Sequence, residues 1–376
     1  MNAQRGTPPD AAEQGARLGR YARALLSWYD THRRLLPWRL DASPYRVWVS
    51  EIMLQQTRIE AALPYFDRFM LALPTVEALA ACGEDTLLKL WEGLGYYSRV
   101  RNLQKAARRL VQEFGGEIPR DYEALLSLPG IGEYTAGAVA SISFGLPVPA
   151  VDGNVMRVLA RLTASERDVL LPASKRWFTA VAAAMLPHDA PGAFNQAIME
   201  LGETVCLPNA EPRCSACPLA EACLARREGT ARRLPVRSPK KARRVEQRTV
   251  FVCISREKEP RVLLHRRADK GLLAGLWELP NTEGWLSPGE AAAWAVRQGL
   301  PASAAEPFGE GKHIFSHIEW HMRGFLLGSP RVELTGDYRW VSGEELAGLY
   351  ALPSAFRAFS SRLPALLYKE RGLERL

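Results

Sequence analysis

The segment Leu125–Asn154 (LLSLPGIGEYTAGAVASISFGLPVPAVDGN) constrains the fold more than any other. Asp121 to Leu126 predicts a short apolar-periodic helix, and Leu128-Pro129-Gly130-Ile131-Gly132 is too glycine-rich to continue it. From Glu133 the helical period resumes, with Tyr134, Ala138, Val139 and Ile142 on one face. Gly130 and Gly132 can take positive φ and let a second backbone approach. The unpaired N–H groups of the following helix then face out of a loop with little side-chain bulk, a geometry that suits a phosphate. A Pro-Gly turn between two helices is also common, so the hairpin alone leaves both readings open. Asp152 lies 20 residues beyond Gly132, in V-D-G-N-V after a proline-rich bend.

At 376 residues the chain suits two or three domains and can bury a sizeable core. Its first 18 residues are polar and mixed in charge, unlike a secretory signal. No uninterrupted apolar run reaches the roughly 18 residues of a membrane span, so we expect a soluble, cytoplasmic protein with no membrane partner. The net charge of +8 is local: Arg226–Arg248 holds ten Lys or Arg against two Glu, and the rest of the chain sums to zero. This is a basic connector, a solvated linker that would gain counterion-release affinity beside a polyanion.

Four of the six cysteines, Cys206, Cys214, Cys217 and Cys223, fall in one 18-residue window spaced C-x7-C-x2-C-x5-C. Without a signal peptide a metal site is expected rather than a disulfide framework. Four thiolates could bind zinc, although the paired C-x2-C knuckles of a zinc ribbon are lacking. Cys82 and Cys253 stand alone in apolar surroundings and read as small core residues.

Helical periodicity begins near Leu18 and breaks at Pro37 in R-R-L-L-P-W-R. It resumes at Val47 through V-W-V-S-E-I-M-L-Q-Q-T, where Glu51 sits among apolar residues. Burial there would raise its pKa, but this stretch alone favours an ordinary exposed glutamate. Helices are predicted at Leu63–Leu71, Thr75–Ala81, Asp85–Leu90, Asn102–Phe114, Val155–Leu162, Lys175–Met185 and Phe194–Gly202. Between them, G-L-G-Y-Y-S-R can stack Tyr96 and Tyr97 on bases while Arg99 and Arg101 meet phosphates; it is equally consistent with a helix start capping the core. Residues 18–224 thus form an all-α domain and 225–248 the connector. From 249 to 368 the pattern is that of a small α+β domain. Its strands are expected at Thr249–Ile254, Arg261–Leu264, His313–His317 and Gly324–Leu327, and its helices at Glu290–Arg297, Glu344–Leu349 and Ser354–Leu363.

Several segments, in this order, resemble the adenine DNA glycosylases of the MutY family, within the helix–hairpin–helix or endonuclease III superfamily. They are L-P-W-R, S-P-Y-R-V-W-V-S-E-I-M-L-Q-Q-T, G-L-G-Y-Y-S-R-V-R-N-L, L-P-G-I-G-E-Y-T-A, V-D-G-N-V, F-N-Q-A-I-M-E-L-G and the four cysteines. The match runs from about Leu18 to Tyr368. The resemblance implies an all-α glycosylase domain with an iron–sulfur cluster loop, followed by a Nudix (MutT)-like domain that recognises 8-oxoguanine. It implies removal of adenine mispaired with 8-oxoguanine or guanine in double-stranded DNA, by a protein expected to be a monomer.

Residue by residue, the resemblance makes Glu51 the general acid and Asp152 the carboxylate that stabilises the sugar cation. Two carboxyls with separated pKa values suit glycosidic chemistry. Asn154 would orient water or the carboxylates, and Tyr134 would lie near the acid. Adenine contacts fall on Arg34 and Gln196, stacking or intercalating roles on Gln56 and Tyr96, and phosphate contact on Gly130 and Gly132. Phe315, Ser316 and His317 match the 8-oxoguanine-recognition segment; on their own they read as an edge-strand end with a satisfied histidine. Bifunctional relatives carry lysine at position 134, where a Schiff base forms; a tyrosine predicts a monofunctional enzyme. The cysteines would hold a [4Fe–4S] cluster, although the first gap has seven residues where six are usual.

A Nudix hydrolase is the rival reading for the C-terminal domain. G-L-L-A-G-L-W-E-L-P-N suits it, but the helix that should carry a glutamate cluster for magnesium reads E-A-A-A-W-A-V-R-Q-G, with Glu290 alone. A relative acting on thymine or damaged pyrimidines is disfavoured by the F-S-H segment, and a non-catalytic scaffold by the joint presence of Glu51 and Asp152.

Overall fold

The computed structural model describes residues 9–239, 242–302 and 304–368, and among them the chain divides into two compact units. The first takes the described residues up to Ala81 together with Arg101–Pro239; the second joins Cys82–Val100 to the C-terminal part.

The first unit is helical. Helices Ala22–His32, Gly153–Leu162, Pro172–Met185 and Pro191–Thr204 share one core that includes Leu25, Tyr29, Val155, Leu159, Phe178 and Phe194. Pro9–Gly19, where the sequence showed only a polar start, is also a helix, and it buries Ala11 and Leu18 against that core. Its apolar positions are too sparse for the period to register. Helix Pro44–Leu54 starts on a proline and buries Val47, Trp48, Val49, Ile52 and Met53. The hairpin forms as expected. Asp121 caps helix Tyr122–Leu126 by accepting from Ala124 N at 2.7 Å, Leu128 and Ile131 are buried, and helix Glu133–Phe144 follows Gly132. Gly130 has φ 78°, and a Cβ there would stand 2.7 Å from Asn102 Cβ, so only glycine lets the hairpin close on helix Ser98–Phe114.

In the second unit the described strands form one sheet in the order β3-β2-β1-β6-β5, with β4 beside β1 and β7 beside β2. The strands are β1 Arg244–Ser255, β2 Val262–Arg266, β3 Trp277–Glu278, β4 Asn281–Glu283, β5 Glu306–Ile314, β6 Ile318–Ser329 and β7 Tyr338–Val341. β1 and β6 run parallel from Arg244 opposite Ile318 to Ser255 opposite Ser329. The sheet is covered on both faces. Val250, Val252 and Trp320 face Phe356 and Phe359, whereas Phe251, Cys253 and Leu327 face helix Pro288–Arg297, with the Phe251 and Trp294 rings stacked at 3.7 Å. Burial on both faces explains why T-V-F-V-C-I reads as an unbroken apolar run.

Two expectations are corrected. His313–His317 is not a strand: β5 ends at Ile314, β6 starts at Ile318, and Phe315–His317 form the turn between them. Ser354–Leu363 is not one helix but a 3₁₀ turn, Ser354–Phe356, running into Arg357–Ser360 and followed by a separate helix, Leu363–Leu367.

Candidate functional site

Glu51 projects from the last turns of helix Pro44–Leu54 into the protein and is only 6% exposed. The Tyr134 hydroxyl, on helix Glu133–Phe144, donates to Glu51 Oε2 at 2.5 Å. Burial raises the Glu51 pKa to about 7; the Tyr134 bond opposes that rise and the nearby Asp152 charge adds to it. A glutamate in this setting is a substantially protonated acid near neutrality. Burial pushes the Tyr134 hydroxyl pKa upward as well, so it stays protonated and donating.

Asp152 caps helix Gly153–Leu162. Its Oδ1 accepts from Val155 N at 2.7 Å and its Oδ2 from Asn154 Nδ2 at 2.9 Å. Burial raises its pKa, but these N–H donors pull the other way. Burial prevails, so the Asp152 pKa lies above its ordinary value, and the N–H donors fix the orientation of the carboxyl beside Glu51. Asn154 is held in turn. Arg157 donates to Asn154 Oδ1 at 2.9 Å, to Gly202 O at 2.7 Å and to Cys206 O at 2.9 Å. Gly202 is required here, since a Cβ would come within 2.9 Å of Asn154 Cβ.

Helix Pro191–Thr204 forms another wall. Met199 Sδ lies 3.7 Å from the Tyr134 hydroxyl. Glu200, 1% exposed, takes two bonds from the Arg34 guanidinium at 2.7 and 2.9 Å, one from Arg34 N at 3.2 Å and one from Arg39 at 2.8 Å. Burial, the largest single influence, would raise the Glu200 pKa, but the two guanidinium groups outweigh it and hold the carboxyl below its ordinary value. Glu203, one turn on, also binds Arg34 at 2.5 Å. Gln196 lies on the same helix, with Nε2 3.3 Å from Gly192 O. Arg39, Arg157, Glu200 and Glu203 were not foreseen as site residues; the only trace was the presence of Arg39 and Glu200 within L-P-W-R and M-E-L-G.

Two further residues of the first unit sit at its surface. Gln56 is exposed just past helix Pro44–Leu54, with φ 63°, a conformation that costs a non-glycine residue energy. Gly132 precedes helix Glu133–Phe144, and the space over its Cα is open.

In the second unit, Tyr96 has φ 46° and is 54% exposed, and its hydroxyl lies 3.4 Å from Ser316 Oγ. Tyr97 is buried, and Arg99 is turned inward onto the carbonyls of Leu94 (2.9 Å) and Gly95 (3.1 Å). The expected phosphate contact by Arg99 is therefore withdrawn. Phe315 stacks edge-on against Trp320 and His313, with centroids 4.9 and 4.5 Å apart, and this leaves Ser316 and His317 exposed at the tip of the turn. Glu290, the lone acidic candidate for a Nudix magnesium site, is engaged in a capping box with Ser287.

The four clustered cysteines wall a single cavity with Val158, Leu162, Leu201 and Val205. Arg161 donates to Cys206 Sγ at 3.1 Å, and burial pushes the Cys217 thiol up to about 12. The long first gap is absorbed by an exposed loop over residues 208–211. Among the described residues, no three His, Cys, Asp or Glu side chains are grouped to hold a metal ion. A pocket walled by four cysteines, with a guanidinium on one sulfur, nevertheless has the donor set of an iron–sulfur centre.

Residues 49–180 match the family described as HhH-GPD superfamily base excision DNA repair protein, and residues 249–362 match the NUDIX domain. Proteins named adenine DNA glycosylase are similar over most of the chain. The rat protein is 36% identical over 90% of this chain and 78% of its own length, and the human one 36% identical over 91% and 74%. That of Buchnera aphidicola (Acyrthosiphon pisum) is 31% identical over 83% and 87%. Among solved structures, a thermostable thymine-DNA glycosylase superposes with TM-score 0.52 at 26% identity, covering 56% of this chain and 97% of that one.

Proposed function

The chain belongs to the adenine DNA glycosylases, base-excision repair enzymes that hydrolyse the bond between adenine and deoxyribose, and from that premise we propose which mispair it serves and which residues do the work. The substrate is adenine opposite 8-oxoguanine or guanine in double-stranded DNA, and the enzyme acts as a monofunctional monomer. The observation that carries the reading is Glu51, buried, with a pKa near 7 and bonded to the Tyr134 hydroxyl.

Glu51 gives its proton to a ring nitrogen of the flipped adenine. The base then leaves with the bonding pair, and the Asp152 carboxylate faces the cationic sugar. A water oriented through Asn154 adds to the sugar and returns a proton to the Glu51 carboxylate. Tyr134, which has no amine, holds the acid and forms no Schiff base with the sugar. Arg34, fixed by Glu200 and Glu203, and Gln196 contact the adenine edge. Gln56 and Tyr96, both strained and exposed, enter the stack, and Gly130 and Gly132 admit a phosphate. Ser316 and His317, on a turn braced by Phe315, read 8-oxoguanine. Cys206, Cys214, Cys217 and Cys223 hold a [4Fe–4S] cluster, which when bound ties the cysteine loop to the helices around it. A glycosylase assay on duplexes with adenine opposite 8-oxoguanine, guanine or cytosine tests the reading; equal rates on all three would refute the mispair assignment.

A further inference from the structure

Beside the cysteine cavity, and separate from the catalytic carboxylates, lies a cleft of about 380 Å³ lined by four arginines, Arg157, Arg161, Arg232 and Arg237, with Asn209 and Leu234. Its size falls at the lower end of small-ligand sites, which run from roughly 300 to 1,000 Å³. Two of the arginines are buried, and they donate to carbonyls, to an amide oxygen and, from Arg161, to the Cys206 sulfur rather than to carboxylates. Arg157 donates to Gly202 O, Cys206 O and Asn154 Oδ1; Arg161 donates to Leu234 O at 3.1 Å and Leu207 O at 2.9 Å. The carbonyl and amide acceptors fix these guanidiniums in place without cancelling their charge. Some of the charge is spent nearby: Arg161 also reaches Cys206 Sγ, Arg232 pairs with exposed Glu211 at 3.0 Å, and Asp152 lies beyond Asn154. Like charges fixed around a polar cleft are stabilised by an anion, and planar forks suit a phosphoryl group.

We propose that this cleft is a binding site for a phosphoryl anion, formed by the preorganised Arg157 and Arg161 and the surface residues Arg232 and Arg237. A free phosphate compound and a DNA backbone phosphate share this chemistry, so the test separates them. Binding of inorganic pyrophosphate to the full-length protein is measured by calorimetry at fixed ionic strength. The wild type is compared with R232E/R237E, whose two substitutions are exposed and outside the catalytic residues, and with the charge-matched control R20E/R176E. The expected result is one equivalent bound by wild type and control, weakened by about tenfold or more in R232E/R237E. A thermal melt with and without pyrophosphate provides a second readout, and Arg237→Gln replaces the double variant if that fails to fold. No binding by wild type, or equal binding by R232E/R237E, overturns the proposal. Stoichiometric displacement of pyrophosphate by a duplex assigns the site to DNA phosphate; retention in the DNA complex assigns it to a free anion.

Discussion

A protonated glutamate in a dry site is useful only if something keeps it protonated, and at Glu51 that is burial. Glu51→Gln should therefore abolish adenine release while leaving mismatch binding nearly intact; single-turnover release at the wild-type rate would sink the acid assignment. The same shift bears on stability. Because the folded-state pKa lies above the ordinary 4.5, the carboxyl's contribution is full below that value and is lost as pH rises through about 7. Glutamine never ionises, so the variant should gain stability over wild type between those values and most above 7, by on the order of 3 kcal/mol at most. Melts from pH 4 to 8 would show it, and a pH-independent difference would argue against a buried acid. Asp152 has two tasks that substitution can separate. Asn is as good a helix cap as Asp, so Asp152→Asn should melt close to wild type yet slow release by orders of magnitude, whereas Asp152→Ala should also lose about 1 kcal/mol. If Asp152→Asn only weakened DNA binding, the charge would not be acting on the sugar.

At the scale of elements, the hairpin makes its two glycines testable separately. Gly130→Ala forces a Cβ onto Asn102 at positive φ and should cost about 1–3 kcal/mol in denaturation. Gly132→Ala meets open space and should leave the fold alone while weakening DNA binding, if a phosphate approaches there. The cysteine loop predicts a brown protein when prepared without air; finding zinc and no iron would refute the cluster, and Cys217→Ser should damage folding more than chemistry in molecules that stay folded. The helices were legible because 3.6-residue periods are local and strong, as at Asn102–Phe114. The Phe315–His317 turn was not, because Phe315 is anchored on Trp320 and no local turn signal marks the sequence. Nor was the Arg34–Glu200 pair, which spans 166 positions, or the burial of Glu51, whose neighbours Tyr134 and Asp152 lie roughly 80 to 100 positions away. The motifs pointed to these residues; only the fold supplies the desolvation and the bonds that make them reactive.

At the scale of the whole molecule, the proposed specificity for 8-oxoguanine rests on whether the Phe315–His317 turn reads the oxidised base. Deleting everything from Val250 is the obvious test and a poor one. The second unit includes Cys82–Val100, where Lys89 donates to the carbonyls of Leu346 and Tyr350, Glu92 accepts from Leu352 N, and Tyr96 reaches Ser316. Truncation would strip that segment of its partners and damage Tyr96 together with the turn. Phe315→Ala with Ser316→Ala is cleaner, because it removes the brace and one hydroxyl from an exposed tip and leaves the sheet in place. Losing such contacts is typically worth about 1–3 kcal/mol of discrimination, or roughly ten- to a hundredfold. The double variant should lose that much on adenine opposite 8-oxoguanine and much less on adenine opposite guanine. Salt must be held constant, since phosphate contacts by the basic connector would shift all substrates together. Equal loss on both mispairs would mean that this unit supplies general affinity, and the reading of Phe315, Ser316 and His317 as the 8-oxoguanine sensor would fall.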